Sequence, residues 1–322
     1  MSILLLGAQG QLGWELGASL SILGRVLHFG RKQADLTQID ELEKLVRKIR
    51  PRVIINAAAH TKVDQAESEP ELAQLINAEA PARLAALARE ISAWLVHYST
   101  DYVFDGQKDG PYGEEDPPAP LNAYGRSKLA GDRAIMGSGC RHLIFRTSWV
   151  FSHTGRNFPR SILELARQKD SFEVVADQYG SPTGVEMIAS ATALALSQAL
   201  SRPENISGLY NLVADGYVDW HGYAIYVVQR ALDLGWKLLA RPEKIKARSA
   251  DRSGRRALRP ANSRLNTEKF VRTFQLSPPP WQYYVDRVIW AWTRTEKPAP
   301  PTRQMLGLRF LPPMSESHKS RP

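Results

Sequence analysis

Ile3 to Leu6 form a short run of apolar residues that passes at once into GAQGQLG, and the stretch from Gln11 to about Ile22 reads as a helix. A strand that is apolar at every position is buried on both faces, as happens inside a parallel sheet covered by helices. Strand, glycine turn and helix, in that order, form the context in which three glycines become a dinucleotide-binding fingerprint. Gly7 permits the tight turn, Gly10 lets a pyrophosphate approach the backbone, and Gly13 allows the helix to pack closely on the sheet. The free N–H groups at the helix start then face the phosphates. This beginning constrains the chain to an α/β class, a Rossmann-type, doubly wound parallel sheet; the looser pattern beyond 151 adds the expectation of a smaller C-terminal α/β substrate-binding lobe.

The βα rhythm continues as that fold requires. Strands are expected over 25–29, 52–55, 93–98 and 141–147, with helices over 39–49 and through 60–91, the latter broken near Pro70 and Pro81. The second strand ends in Gly30, Arg31 and Lys32, where an NAD-selective fold places an acid for the ribose 2′-hydroxyl. Two cations there tolerate a 2′-phosphate, so NADPH is the expected cofactor, with NADH as the second choice. Asp35 and Leu36 open the next turn as further cofactor candidates. Ala57, Ala58 and Ala59 follow the third strand, and small residues there leave room for a flat ligand. Beyond 151 the rhythm loosens, with helices expected over 158–167, 185–200, 220–234 and 281–292 and strands over 172–175 and 209–213. Residues 1–150 are read as the NAD(P)-binding domain. Residues 151–296 are read as mainly substrate-binding with some return to the first domain, and 297–322 as a disordered tail.

STDYVFDG and NAYGRSK carry the candidate chemistry. Thr100 stands at the carboxyl end of a parallel strand, where such sheets bind ligands. Tyr124 and Lys128 are four apart, so a helix capped by Asn122 sets them on one face. A phenol is a weak acid at neutral pH, and an adjacent ammonium is expected to favour phenolate and bring the phenol within working range. The polar, proline-rich run from 107 to 121 is expected to be a loop over this site.

Charge narrows the partners. The formal net charge is +9, yet residues 241–322 hold 18 Lys and Arg against 6 Asp and Glu. The rest of the chain is slightly acidic, and no nucleic-acid motif accompanies the basic segment, so nucleic acid is not the expected partner. One cysteine, Cys140, excludes an internal disulfide and fits a reducing compartment. No secretory leader and no apolar run of about 18 residues are seen, so a cytoplasmic protein without a membrane span is expected.

GAQGQLG, NAAAHTKVDQAESEPE, STDYVFDG, YGRSK, RTSWVF, DQYGSPT and RPANSRLNT, in this order, resemble the dTDP-4-dehydrorhamnose reductases, a group of extended short-chain dehydrogenases/reductases. The resemblance spans about residues 1–295. It implies NAD(P)H-dependent reduction of dTDP-4-dehydro-β-L-rhamnose to dTDP-L-rhamnose, the last step in making the sugar donor for cell-surface polysaccharides such as O-antigen. By the same resemblance Tyr124 is the proton donor, Lys128 binds the nicotinamide ribose and Thr100 orients the sugar O4. Gly7, Gly10, Gln11, Leu12, Asp35, Ala57 and Ala58 correspond to cofactor contacts, and Thr61, Tyr102 and Trp149 to sugar contacts. For Trp149, core filling stays open beside stacking on the sugar. Arg259 and Arg264 are the candidates for the substrate diphosphate. Some members dimerise around Mg2+ held by glutamates, and Glu15 and Glu186 are the counterparts here. Ala291 stands where a third acid is expected, which argues against a metal-bridged form and leaves a homodimer open. Reduction of another nucleotide-linked keto sugar, or a non-catalytic regulatory subunit that keeps the fold, are the alternatives.

Overall fold

In the computed structural model, which describes residues 1–202, 206–250 and 256–295, the glycine turn opens a six-stranded parallel sheet. The first half runs β1 (Ser2–Leu6), α1 (Gln11–Leu20), β2 (Arg25–Phe29), α2 (Ile39–Ile49), β3 (Val53–Asn56), α3 (Val63–Ala66), α4 (Pro70–Gln74), α5 (Ala80–Glu90), β4 (Trp94–Thr100), α6 (Ala123–Gly137) and β5 (Arg141–Thr147). The second half adds β6 (Val150–Phe151), α7 (Phe158–Gln168), β7 (Phe172–Val175), β8 (Tyr179–Gly180), β9 (Thr183–Gly184), α8 (Val185–Ser201) and β10 (Gly208–Asn211). It closes with β11 (Val218–Asp219), α9 (Trp220–Asp233), β12 (Ile245–Arg248), α10 (Glu268–Phe274) and α11 (Trp281–Thr295). No helix among the described residues is long and apolar enough to cross a membrane.

The strand order is β10-β5-β4-β3-β1-β2. Ile3, Leu4, Leu5 and Leu6 are each 0% exposed, and their alternation sends Ile3 and Leu5 into one core and Leu4 and Leu6 into the other. From β1 the chain steps outward to β2 and then returns to β3 on the opposite side of β1. The crevice at that reversal, outside the carboxyl ends of β1 and β3, is where open α/β sheets take their ligands.

The break expected at Pro81 is absent. A π-helical turn, Leu75–Glu79, joins α4 directly to α5, so the helix runs on through Pro81, two residues past that turn. Asn77 in that turn is 0% exposed and bonds His60 N (2.9 Å), His60 O (3.0 Å) and Ser127 Oγ (3.0 Å). It thereby ties the loop after β3 to α6.

The second half returns twice to the first. β10 pairs with β5 in the main sheet, and α8 packs on α1. A strap over 256–266 then crosses the front of the molecule. Asn122 Nδ2 donates to Leu258 O (2.7 Å), Asn262 Nδ2 to Lys108 O (2.6 Å) and Gly110 O (2.8 Å), and Tyr112 N to Arg264 O (2.8 Å). The 107–121 run is irregular, as expected, and the strap holds it in place. The tail from 297 and the arginines at 252 and 255 lie outside the described residues.

Candidate active site

The glycine turn has the geometry its sequence implies. Gly7 has φ +77°, and a Cβ there would stand 2.7 Å from Ala58 N; a Cβ on Gly13 would collide with the Gly7 carbonyl. Gly10 occupies the N-cap of α1. Gln11 points sideways: its Oε1 accepts from Ser152 Oγ (3.1 Å) and its Nε2 donates to Arg156 O (3.2 Å), fastening the turn to the loop before α7. Leu12 packs against the core, while Ala57, Ala58 and Ala59 are only partly covered and border the crevice. These backbone approaches fit a dinucleotide.

At the end of β2 the structure qualifies two expectations. Arg31 Nε pairs with Asp35 Oδ2 at 3.1 Å, so this cation is already partly neutralised. Burial raises the Asp35 pKa, but bonds from Thr37 and Arg31 outweigh it and hold the carboxyl below its ordinary range. Leu36 is 3% exposed and belongs to the core, so its side chain is not available to a cofactor. The DLT segment forms the turn expected of it and seats Leu36 in the core, leaving Asp35 and the main chain toward the surface.

The fold brings Thr100, Tyr124 and Lys128 together. β4 ends at Thr100, and α6 begins at Asn122, whose Oδ1 accepts from Gly125 N (2.8 Å) as the capping pattern predicts. The Thr100 hydroxyl neighbours the Tyr124 phenol. Lys128 is 1% exposed, and its Nζ donates to Tyr98 O (2.6 Å) and meets His97 Nε2 (3.0 Å). His97 Nδ1 in turn meets Asn56 Nδ2 at 3.2 Å, which links the lysine to the end of β3.

The electrostatics correct the simplest reading of the Tyr–Lys pair. Burial pushes the phenol of Tyr124 well up, Thr100 opposes it, and the charges of Asp101 and Asp132 add to it. Part of the Tyr124 ring stays accessible, which tempers the effect. The ammonium is anchored on the β4 backbone and does not lower the phenol here. Burial also brings Lys128 down to about 8, partly offset by Asp132. Asp132 is 0% exposed, bonds Ser99 Oγ (2.7 Å) and reaches Arg146 Nε at 3.4 Å.

The candidate substrate wall is partly assembled. The ring of Tyr102 stands edge-on to Tyr124, with centroids 5.8 Å apart. Arg259 comes up beside Tyr102 and pairs with Asp64, Nη2 to Oδ2 at 2.7 Å. Thr61 is exposed on the loop after β3. Arg264 is bound to its own surroundings: Nε donates to Asn262 Oδ1 (2.8 Å), Nη2 to Asp109 O, and the guanidinium lies 4.8 Å from the Tyr217 ring centroid. Trp149, at φ +46°, stacks face to face on Trp220 and packs against the core.

Glu15 and Glu186 do meet, but the third group beside them is His153, whose Nδ1 is 3.8 Å from Glu15 and 3.4 Å from Glu186. Burial and the Glu186 charge raise the Glu15 pKa, with His153 opposing. Magnesium prefers a shell of oxygens. Two carboxylates and an imidazole, with Ala291 in the closing helix, fit it poorly.

Comparison with known proteins agrees with this geometry. Residues 1–294 match the family described as RmlD substrate binding domain. The dTDP-4-dehydrorhamnose reductase of Salmonella typhimurium is 47% identical over 293 residues, covering 90% of this chain and 97% of that protein. The chain belongs to the dTDP-4-dehydrorhamnose reductase family of oxidoreductases. A member from Bacillus anthracis, solved in complex with NADP, is 32% identical with a TM-score of 0.80, covering 89% of this chain and 98% of that one. A Clostridium acetobutylicum member is 30% identical with a TM-score of 0.82, covering 91% and 100%.

Sequence reasoning passed over His97, Asp101 and Asp132. Asp132 had a usable signal, since it follows Lys128 by the same four residues that separate Lys128 from Tyr124. His97 had none, because a histidine inside an apolar strand looks like filler until α6 lies across it.

Proposed function

We propose that this protein reduces the C4 ketone of dTDP-4-dehydro-β-L-rhamnose to give dTDP-L-rhamnose, with Tyr124 delivering the proton. The observation that carries the reading is the convergence of Thr100, Tyr124 and Lys128 at the carboxyl end of β4, beside the glycine turn of β1. A reduced nicotinamide dinucleotide, NADPH first and NADH second, supplies the hydride when bound. Gly7, Gly10 and the start of α1 hold its pyrophosphate, and Lys128 holds the ribose that carries the nicotinamide.

Tyr124 is buried enough to keep its proton at neutral pH, which is what a proton donor requires. An alkoxide is far more basic than a phenolate, so transfer from the phenol to the sugar O4 runs downhill. Thr100 orients that oxygen, Tyr102 walls the sugar, and Arg259 supplies the cation for the diphosphate. Thr61, Trp149 and Arg264 are secondary in this reading. Each already has a local role or an exposed position, and Trp149 takes the core-filling alternative.

The test is loss of NADPH absorbance with enzymatically generated dTDP-4-dehydrorhamnose. Wild type is expected to turn over, and Tyr124→Phe to lose about two orders of magnitude or more in kcat with NADPH affinity intact. Absence of turnover with NADPH and with NADH would dismiss the reading. Turnover of another nucleotide-linked keto sugar in preference would move the substrate and leave the chemistry in place.

A further inference from the structure

The mechanism above leaves Asp101 unused, although it is 3% exposed and adjoins the catalytic hydroxyl. Thr100 Oγ1 accepts from Tyr102 N at 3.2 Å and is 3.1 Å from Asp101 Oδ1. The Ser263 hydroxyl, carried in on the strap, adjoins the same carboxyl, and Asp101 Oδ2 is buried without a hydrogen-bond partner. Thr100, Asp101, Tyr124 and Ser263 therefore form one small cluster built from β4, α6 and the strap.

A hydroxyl has one hydrogen to give. When Asp101 is ionised it can only accept, so the Thr100 hydrogen points at the carboxylate. Thr100 then has no hydrogen left to orient the sugar O4. When Asp101 is protonated it donates to Thr100 instead. The Thr100 hydrogen is then free for the sugar O4, beside the Tyr124 phenol that protonates it. No net proton passes through Asp101; only the direction of the hydrogen bonds changes.

We propose that Asp101 is a positioning residue whose neutral carboxyl turns the Thr100 hydroxyl toward the sugar oxygen that Tyr124 protonates. The inference rests on the reduction proposed above. Burial, opposed by Ser263 and Thr100, brings Asp101 up to about 7, so its protonation changes near neutral pH. The titratable and charged groups that neighbour the cluster are Tyr124, Lys128 and Asp132 on α6, His97 on β4, and Arg259 beside Tyr102 on the strap. Of these, Lys128 at about 8 is the one whose alkaline titration must be told apart.

The experiment is the pH profile of kcat for the full chain with NADPH and dTDP-4-dehydrorhamnose, for wild type, Asp101→Asn and Asp101→Leu. Wild-type kcat is expected to fall by about tenfold per pH unit above about 7. The Asn amide donates to Thr100 at every pH, so Asp101→Asn loses that limb and keeps only the later fall from Lys128, with kcat at pH 6 down by about fivefold. Asp101→Leu, which removes the donor, loses about a hundredfold in kcat at all pH values, with KM for both reactants and NADPH affinity moved less than about twofold. The same limb in Asp101→Asn, or a rise in KM with kcat preserved, would overturn the assignment. If wild type turns over, Tyr124→Phe abolishes turnover and the limb still survives in Asp101→Asn, the role of Asp101 fails alone. If wild type does not turn over, the reduction fails with it.

Discussion

At the scale of single residues, the groups around Tyr124 are held away from their ordinary protonation, and this shows in stability. Asp101 has a folded value of about 7 against an ordinary 3.8, so between these limits the folded chain keeps a proton that the unfolded chain releases. That contribution is fully present below about 3.8 and is lost as pH rises to about 7, a swing of roughly 2–4 kcal/mol. Asp101→Asn escapes it. Urea denaturation at pH 4 and pH 8 is expected to show the variant gaining on wild type at the higher pH only, and equal differences at both would contradict the shift. The Tyr124, Lys128 and Thr100 set was legible in the sequence because helix spacing and a strand end are local facts. The partners that decide protonation were not, because His97, Asp101 and Asp132 acquire their burial from elements remote in sequence.

At the scale of elements, the boundaries followed hydrophobic period closely for β2 and α2, which start and stop as expected. The error lay at Pro81. A proline inside a helical pattern argues for a break, but the π turn at Leu75–Glu79 absorbs the register change and buries Asn77 as a clamp on His60 and Ser127. Nothing in LINAE announces a π turn. It lies where α6 passes so near that a Cβ on Gly131 would collide with Asn77 O. Asn77→Ala leaves both main-chain groups of His60 without their partner and is expected to cost about 2–4 kcal/mol of folding stability, read from the denaturation midpoint. In α1, Gly13→Ala pushes against Gly7 and is expected to weaken NADPH binding by about tenfold or more, read by fluorescence titration.

At the scale of the whole molecule, the parallel sheet was legible from alternating strands and helices, but the order of its strands was not, because right-handed crossovers are compatible with more than one doubly wound order. The strap was not legible. Its bonds are between main-chain and short polar groups, and a contact such as Asn262 to Lys108 leaves no periodic mark. Basic charge in the C-terminal part likewise gave a total and not an address. The structure separates Arg259, beside Tyr102 and Asp64, from Arg264, bound to Asp109 and Asn262. Arg259→Ala is therefore expected to raise KM for the nucleotide sugar by about tenfold with little change for NADPH, whereas equal effects on both would argue for a structural role.

The strap also sets an order of events in time. Its contacts with Lys108, Tyr112 and Asn122 close loops of well over a hundred residues, and such contacts form late because their loop entropy is met only after local structure exists. The pairing of β1 through β4 needs no such closure. A refolding chain is thus expected to recover NADPH binding in an earlier kinetic phase than turnover, which waits for Ser263 and Arg259 to arrive. Stopped-flow fluorescence paired with double-jump activity assays would show the two phases apart.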